Sequence, residues 1–549
     1  NPNLSLTINA GVGNDTINIG DGINPISAGF QASLTINGDG DDADRPLDFD
    51  TINFKSDLTL GNGTTGNAAN LTATAETIVV EGNVNLSTAP ATGTTSGVGN
   101  VLLTAGRNIV MNAASSITTN DGDVTLLANQ AATPAAGDFD GILLDDADIT
   151  TTGDATHGGG NITLRGRGGD MDSNRGVALI NGATVSSLGL DDRPTMTDTA
   201  GKIIIEGTGG AGTNGNVGVE IVNAGSGVVS VEGDILVIGT GGGMGAGTGN
   251  AGVRIADSGR IETRGSADMN VVDDGGTDGI GTNTGLIIEN GGLVGDDDAA
   301  TGGADANGDG SGQIILDTGS DEFRMATGAV VRTNALANET ARIVIAADQI
   351  ELVATGANDP LIQAISQAPT GIAEVILAPD HGDTVAINLG VGANGAGEFA
   401  LEETELNTIA APRVIIGLAD VVRNDLLETR TNQFGESFIG PDGTLVGECE
   451  EAARPFASET QTTITFVAGG FTADAEFATR QFRVQTRDSA NAVLTDDVVI
   501  NGNIDLASMG AGRNFEVFAG SDIIQAAAAK VTTGDDGGMD DKANSLAAR

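Results

Sequence analysis

The chain of 549 residues contains no tryptophan and no tyrosine, one cysteine, two histidines and four lysines. Each scarcity removes something. Large aromatics fill irregular gaps in globular cores and form the platforms on which sugars and bases stack. A core this long without them must be assembled in another way. With Cys449 as the sole cysteine, no disulfide can form within the chain, and the thiol reads as free and solvated. Lysine and arginine number 25 against 75 aspartates and glutamates, a net charge of −50. Such a surface excludes nucleic acid as a partner and disfavours anionic membranes. No apolar run reaches the ~20 residues of a membrane span. The sequence begins at Asn1 without a recognisable signal peptide, so it reads as a processed product or as part of something longer.

What the chain has instead is 84 glycines and short runs of β-branched residues from end to end. Stacked layers of Ile, Val, Leu and Ala would give a continuous core without large rings, as in a β-solenoid. Five segments align with one another: Gly141–Leu144, Gly176–Leu179, Gly218–Ile221, Gly252–Ile255 and Gly285–Ile288. Second short strands are expected at Asp148–Thr150, Thr184–Ser186, Val229–Val231 and Arg260–Thr263. Third strands are expected at Lys202–Ile205, Ile235–Ile238 and Gln313–Leu316. Three strands per repeat predict one turn of a triangular parallel helix, of roughly 25 to 34 residues, with like residues about 4.8 Å apart. The expected fold is a right-handed parallel β-helix with Gly/Asp-rich corner loops. The tracts Gly207–Gly215 and Gly239–Gly249 read as loops protruding from one corner.

Three regions are expected. Residues 1–130 carry a different repeat, in which Leu6–Asn9 recurs as Leu34–Asn37 and Asp15–Asn18 as Asp50–Asn53. Residues 131–395 carry the regular repeat of about 34 residues, a period typical of solenoids. Residues 396–549 hold ten of the fifteen phenylalanines and read as a capping or assembly region, or as further coils with larger side chains. There, short helical turns are expected at 401–406, 448–453 and 526–529, and strands near Ile464, Phe482, Val498 and Phe515.

The segment Thr104–Gln130, TAGRNIVMNAASSITTNDGDVTLLANQ, and the run Glu405–Ile409 leading to Val414–Gly417 resemble the coils of filamentous-haemagglutinin-type exoproteins. The resemblance implies a long secreted β-helical fibre used for adhesion. A second, local resemblance is to the calcium-binding turns of RTX repeats. Gly11, Gly13 and Asp15, and Gly38, Gly40 and Asp42, both fit G-x-G-x-D, although these two copies stand three times as far apart as successive RTX turns. Asp305, Asn307 and Asp309 resemble the first half of an EF-hand loop, whose closing glutamate is here Leu316. Calcium is therefore the expected cofactor, against the alternative that these are solvated Asp/Gly turns.

An enzyme on this fold is the rival expectation, a polysaccharide lyase or hydrolase. Carboxylates are too abundant for any pair to be informative, and cationic partners are scarce. Arg165 and Arg167 form the densest basic spot and read as balancing neighbouring aspartates. His157 and His381 lie far apart, and Cys449 sits in no nucleophile motif. The glycine tracts lack the lysine and helix of a phosphate loop. No catalytic residue is therefore assigned. The expected role is an extracellular or cell-surface structural protein. Expected partners are copies of itself or other surface proteins joined end to end, and extracellular polysaccharide or a neighbouring cell surface, without membrane insertion. A third reading takes the acidity as adaptation to high salt.

Overall fold

Strand Ser33–Asn37 (SLTIN) alternates half-buried and buried positions, and the same alternation runs through Thr51–Phe54, Leu71–Ala75 and Val124–Ala128. Period-two burial gives each strand one core face and one outer face. The computed structural model describes residues 5–11, 13–24, 26–30, 32–38, 49–61, 69–88, 99–153, 159–188, 201–231, 233–243, 247–263, 269–273, 282–295, 313–318, 321–335, 340–354, 356, 358–366, 372–379, 385–393, 399–417, 463–473, 481–486, 497–506, 514–519 and 522–533. Among them the fold is nearly all β, with long parallel ladders of the solenoid kind. Two compact units divide at 269–284.

In the first unit, three ladders of short strands pair in parallel. The first runs from Ser5–Asn9 through Ser33–Asn37, the leading halves of Leu71–Val80 and Val101–Met111, Val124–Ala128, Ile162–Arg167 and Ile203–Thr208 to Ile235–Thr240. The second runs from Thr16–Ile19 through Thr51–Phe54, the trailing halves of the two long strands, Ile142–Asp145 and Val177–Ile180 to Val217–Val222 and Thr248–Ala256. The third runs from Ile26–Phe30 through Ser116–Asn120, Asp148–Thr152 and Thr184–Leu188 to Arg260–Thr263. The registers Ile142↔Val177↔Val219↔Val253 place the glycine-led segments in line. Register stacking makes the core a set of aliphatic columns, such as Leu34, Leu71, Val101, Val124, Ile162, Ile203 and Ile235, all buried. Each such side chain is worth roughly 1.5–3 kcal/mol on burial.

The corner between the second and third ladders has one construction. A backbone N–H reaches back three residues, as in Ser115 to Asn112 O, Ala183 to Ile180 O and Ser226 to Asn223 O. A left-handed residue makes the turn: φ is 65° at Asn83, 59° at Ala114, 57° at Asn181 and 77° at Asn223. Asn and Asp tolerate that region best among residues with a side chain, which explains their recurrence there.

The second unit repeats the scheme. Its first ladder joins Met269–Asp273, Ile314–Asp317, Thr340–Ala346, Ile372–Ala378, Arg413–Ile416, Gln481–Gln485 and Asn514–Phe518. Here the outer residues Ile315, Val344, Ile376 and Ile415 are also buried, so these strands read as unbroken apolar runs. The strands beyond residue 463 are further coils. Ile464–Phe466 pairs with Ile387–Leu389 and Val498–Ile500, and Phe471–Thr472 with Ile504–Leu506. Phe482 and Phe515 lie in register, their ring centroids 5.5 Å apart, and Phe466 meets both edge-on at 6.4 and 5.9 Å.

Two expectations change. The tracts at Gly207–Gly215 and Gly239–Gly249 are loops only in part: their leading residues are packed, while Ala211, Thr213, Asn214, Thr248 and Gly249 are exposed. Gly209, Gly210 and Gly242 are buried; Gly209 N–H donates to Thr240 O in the second tract, and Gly210 N–H to Asn174 O in the coil before. The absence of Cβ permits this: a Cβ on Gly242 would lie 1.9 Å from the Gly210 carbonyl oxygen. Alanines 526–529 form no helix. Ala529 N–H closes a turn on Ala526 O, and the chain returns as Val531–Thr533 against Ile504–Leu506. Strand pairing on the preceding coil overrides alanine's helix propensity. The expected turn at 401–406 is present as the helix Glu403–Leu406. The one expected at 448–453 lies outside the described residues.

Candidate functional site

Three side-chain columns run along the stack, and each grows from a short local sequence. The first lies where the third ladder hands over to the first. Gly99-Asn100-Val101, Gly122-Asp123-Val124, Gly160-Asn161-Ile162, Gly201-Lys202-Ile203 and Gly233-Asp234-Ile235 occupy equivalent places. The Asx side chain of one coil accepts the backbone N–H of the next: Asn100 to Asn70 Oδ1 at 2.9 Å, Asp123 to Asn100 Oδ1 at 2.9 Å, Asn161 to Asp123 Oδ1 at 2.8 Å, Lys202 to Asn161 Oδ1 at 2.9 Å. These steps span 30, 23, 38 and 41 residues, wider than the expected range because loop lengths between coils vary. Beside them, buried hydroxyls tie down the glycines. Thr151 Oγ1 donates to Gly160 O at 2.7 Å, and Ser230 Oγ accepts Gly233 N–H at 2.7 Å.

The second column is amide only. Asn174, Asn216 and Asn250 are at most 2% exposed. Asn174 N–H donates to Asn216 Oδ1 at 3.2 Å and Asn216 N–H to Asn250 Oδ1 at 2.9 Å, while Asn250 Nδ2 reaches Thr213 O at 3.1 Å. Buried amides need such partners, and stacking supplies them.

The third column is charged. Arg175 pairs with Asp140 at 2.6 Å and Glu220 at 2.7 Å, and Glu220 with Arg254 at 2.8 Å. Burial pulls the Arg175 guanidinium down, but the hydrogen bonds and charges of Asp140 and Glu220 outweigh it and raise its pKa. Of the two arginines in the basic spot, Arg165 falls into the same pattern, paired at 2.9 Å not with a neighbouring aspartate but with Glu206 one coil on. Arginines here bind coils to one another and leave no basic groove among the described residues.

Gly11 and Gly13 have φ of 104° and 118°, the left-handed geometry that a G-x-G-x-D turn requires. Asp15 is half-buried, and its N–H donates to Asp50 Oδ1 at 2.6 Å, while Asp50 N–H donates to Glu76 Oε2 at 2.6 Å. Coils at this level repeat every 28 residues along the first ladder and every 35 along the second. Asp15 is therefore level with Asp50. Gly38 is bonded through its N–H to Thr74 O. Gly40, Asp42, Asp305, Asn307 and Asp309 lie outside the described residues, as do His157, His381 and Cys449. Among the described residues no three His, Cys, Asp or Glu side chains converge as a metal site, so this half of the donor set alone makes no calcium cage.

One carboxyl stands apart. Glu405, 6% exposed, accepts Glu402 N–H at 2.6 Å and Leu352 N–H at 3.2 Å. Burial pushes its pKa up to about 7, helped by the charges of Glu402 and Glu351 and opposed by the two N–H donors. The folded chain thus holds this proton more tightly than the unfolded chain, whose glutamate titrates near 4.5. The stability this gives is full below pH 4.5 and is lost as pH rises to about 7. Glu405→Gln removes the effect. Its unfolding free energy relative to the native chain is expected to rise by about 2–3 kcal/mol between pH 4.5 and 8. Chemical denaturation at both pH values checks this, and a pH-independent difference contradicts it.

Comparison with known protein families, with curated proteins and with solved structures returns no match for this chain. The columns have no outside precedent to borrow from, and their chemistry must be read from their own contacts. All three join successive coils. Among the described residues no helix is long and apolar enough to cross a membrane.

Proposed function

We propose that the chain is a structural segment of an extracellular surface fibre, an adhesive β-solenoid of filamentous-haemagglutinin type. The observation that carries the reading is the use of its polar side chains. Asn100–Asn70, Asn174–Asn216 and Arg175–Glu220 join one coil to the next instead of converging on a cleft. The winding is right-handed, in keeping with the strong rule for parallel crossover connections. The fibre grows by joining end to end with copies of itself or with other surface proteins, a heterologous contact that gives open filaments.

Electron microscopy of the full chain is the test. Filaments or end-joined particles support the proposal. Isolated particles at every concentration, together with unsaturated product from an acidic polysaccharide, overturn it in favour of a lyase.

Calcium belongs to the same proposal. The positive φ of Gly11 and Gly13, the half-buried Asp15 and the net charge of −50 support cation binding near the N-terminal turns. Millimolar calcium is expected to raise Tm by several degrees, and a chelator to reverse it. Equal shifts with sodium chloride at matched ionic strength would instead mark general relief of charge repulsion.

A further inference from the structure

One surface departs from the acidity of the chain. On the outer face of the first ladder in the first unit, each of five successive strands presents two residues, level with Thr35 and Asn37. In order along the stack they are Thr7 and Asn9, Thr35 and Asn37, Thr72 and Thr74, Leu102 and Thr104, Thr125 and Leu127. Over these five coils neither column carries a charged side chain, although 75 of 549 residues are acidic. The first charge comes at Arg165, which is paired with Glu206. In the four strands from Ser33–Asn37 onward the outer residues are half-buried while their neighbours fill the core, so the pattern is a true face there; in Ser5–Asn9 both sides are open, with Leu6 exposed and Ile8 half-buried.

Parallel registration fixes the geometry. Like residues repeat at about 4.8 Å along the stack, and the two columns stand about 6.7 Å apart along each strand. The result is a two-column array of hydroxyls and amides on a stiff support, interrupted by Leu102 and Leu127 in its last two coils. Side-chain bonds between coils hold it, with Asn37 Nδ2 donating to Asn9 Oδ1 at 2.7 Å. Beyond a row of charged residues that includes Glu76 and Arg107, the second ladder repeats this kind of bond, Asn53 Nδ2 to Asn18 Oδ1 at 3.1 Å and Thr77 Oγ1 to Asn108 Oδ1 at 2.9 Å. The donating amides, Asn37 and Asn53, keep one N–H and the oxygen's two lone pairs, and the accepting amides, Asn9 and Asn18, keep two N–H groups and one lone pair.

The occupant must suit three properties. It must be uncharged, because the two columns are. It must be periodic in two directions, because the face is. It must need no aromatic platform, because the chain holds no tryptophan or tyrosine. Threonine pairs a hydroxyl that can bind water with a methyl that orders the water beside it. A rigid array of such groups, free of ions that would organise water around themselves, presents to solvent an ordered layer of water. We propose that this face binds ice, holding the protein on a growing crystal through that layer. The inference stands apart from the fibre assignment, since an ice-bound face requires no end-to-end joining.

The test is uptake of the full chain into slowly growing ice, read as the partition between ice and liquid, with ice recrystallisation followed in parallel. Thr35→Lys and Thr72→Lys place two charges in the middle of the array while leaving the core columns intact. Arg483→Gln, a change in the second unit, is the control. The native chain and the control are expected to enter the ice and to slow recrystallisation. The double variant is expected to lose partition by about tenfold, the equivalent of ~1.4 kcal/mol, with its thermal unfolding unchanged. Exclusion of the native chain to the level of a non-binding protein overturns the proposal. So does uptake by the double variant equal to the native level. Binding to an insoluble neutral polysaccharide without entry into ice overturns it too and assigns the face to a glycan.

Discussion

Gly160→Ala is expected to destabilise the first unit by about 3 kcal/mol, the upper range for overpacking. A Cβ at Gly160 would lie 2.0 Å from the Gly122 carbonyl oxygen, and neither backbone can retreat. Gly201 stacks on the other side, where its own Cβ would meet Gly160 O at 1.9 Å. Thr151 also anchors Gly160 O from within the core. Any relief must therefore pass along the whole column. Gly106→Ala supplies the contrast. Gly106 lies within strand Val101–Met111, and a Cβ there finds Glu76 Cα at 3.6 Å, an ordinary contact. That change is expected to be neutral, or stabilising by about 0.5 kcal/mol through lost chain entropy. Calorimetry of the two variants side by side separates a glycine required by contact from one merely tolerated. Equal effects would mean that the glycine column is not in place.

Phe482→Ala is expected to cost about 3–5 kcal/mol and to act locally. The ring is buried among Phe466, Phe471 and Phe515, at centroid distances of 6.4, 6.0 and 5.5 Å. In a stacked array each coil depends mainly on its neighbours, so the loss opens the coils around the cavity first. Hydrogen exchange followed by mass spectrometry should show faster exchange for 464–533 and no change for 101–230. Phe482→Leu, which keeps most of the volume, should have a far smaller effect. Uniform acceleration along the chain would show instead that the molecule unfolds as one unit.

Much of the fold was legible because the repeat writes itself into the sequence. Glycine-led segments at 141, 176, 218 and 252 announce the second ladder, and their registers are those observed. The repeated SLTIN of 5–9 and 33–37 likewise stacks residue on residue. The polar columns were harder to see. Gly-Asn-Val and its variants are three residues long, and their separation ranges from 23 to 41, so no fixed period exposes them. The signal was present all the same, as a glycine followed by Asn, Asp or Lys and then Val or Ile at the start of a first-ladder strand. Composition misled where neighbours decide. Glycine tracts read as protruding corners, yet their leading residues Gly209, Gly210 and Gly242 are buried beside the Asn174–Asn216–Asn250 column. Ala526–Ala529 reads as helix, yet the coil before it dictates a strand after a turn. At Asp15 the pairing was not legible, because its rung-mate Asp50 lies 35 residues away and not at the second motif copy.

The claim beneath all of this is that residues far apart in sequence sit in line, one coil apart, in parallel register. A nitroxide pair at Thr35 and Thr163, with Cys449 replaced, measures it directly. Four coil steps separate these outer positions, through Thr72, Leu102 and Thr125. Pulsed electron paramagnetic resonance is expected to give a narrow distance distribution centred at about 19 Å, set by four strand spacings. A broad distribution centred beyond about 30 Å, the scale of an unordered segment of this length, would contradict the stacked architecture.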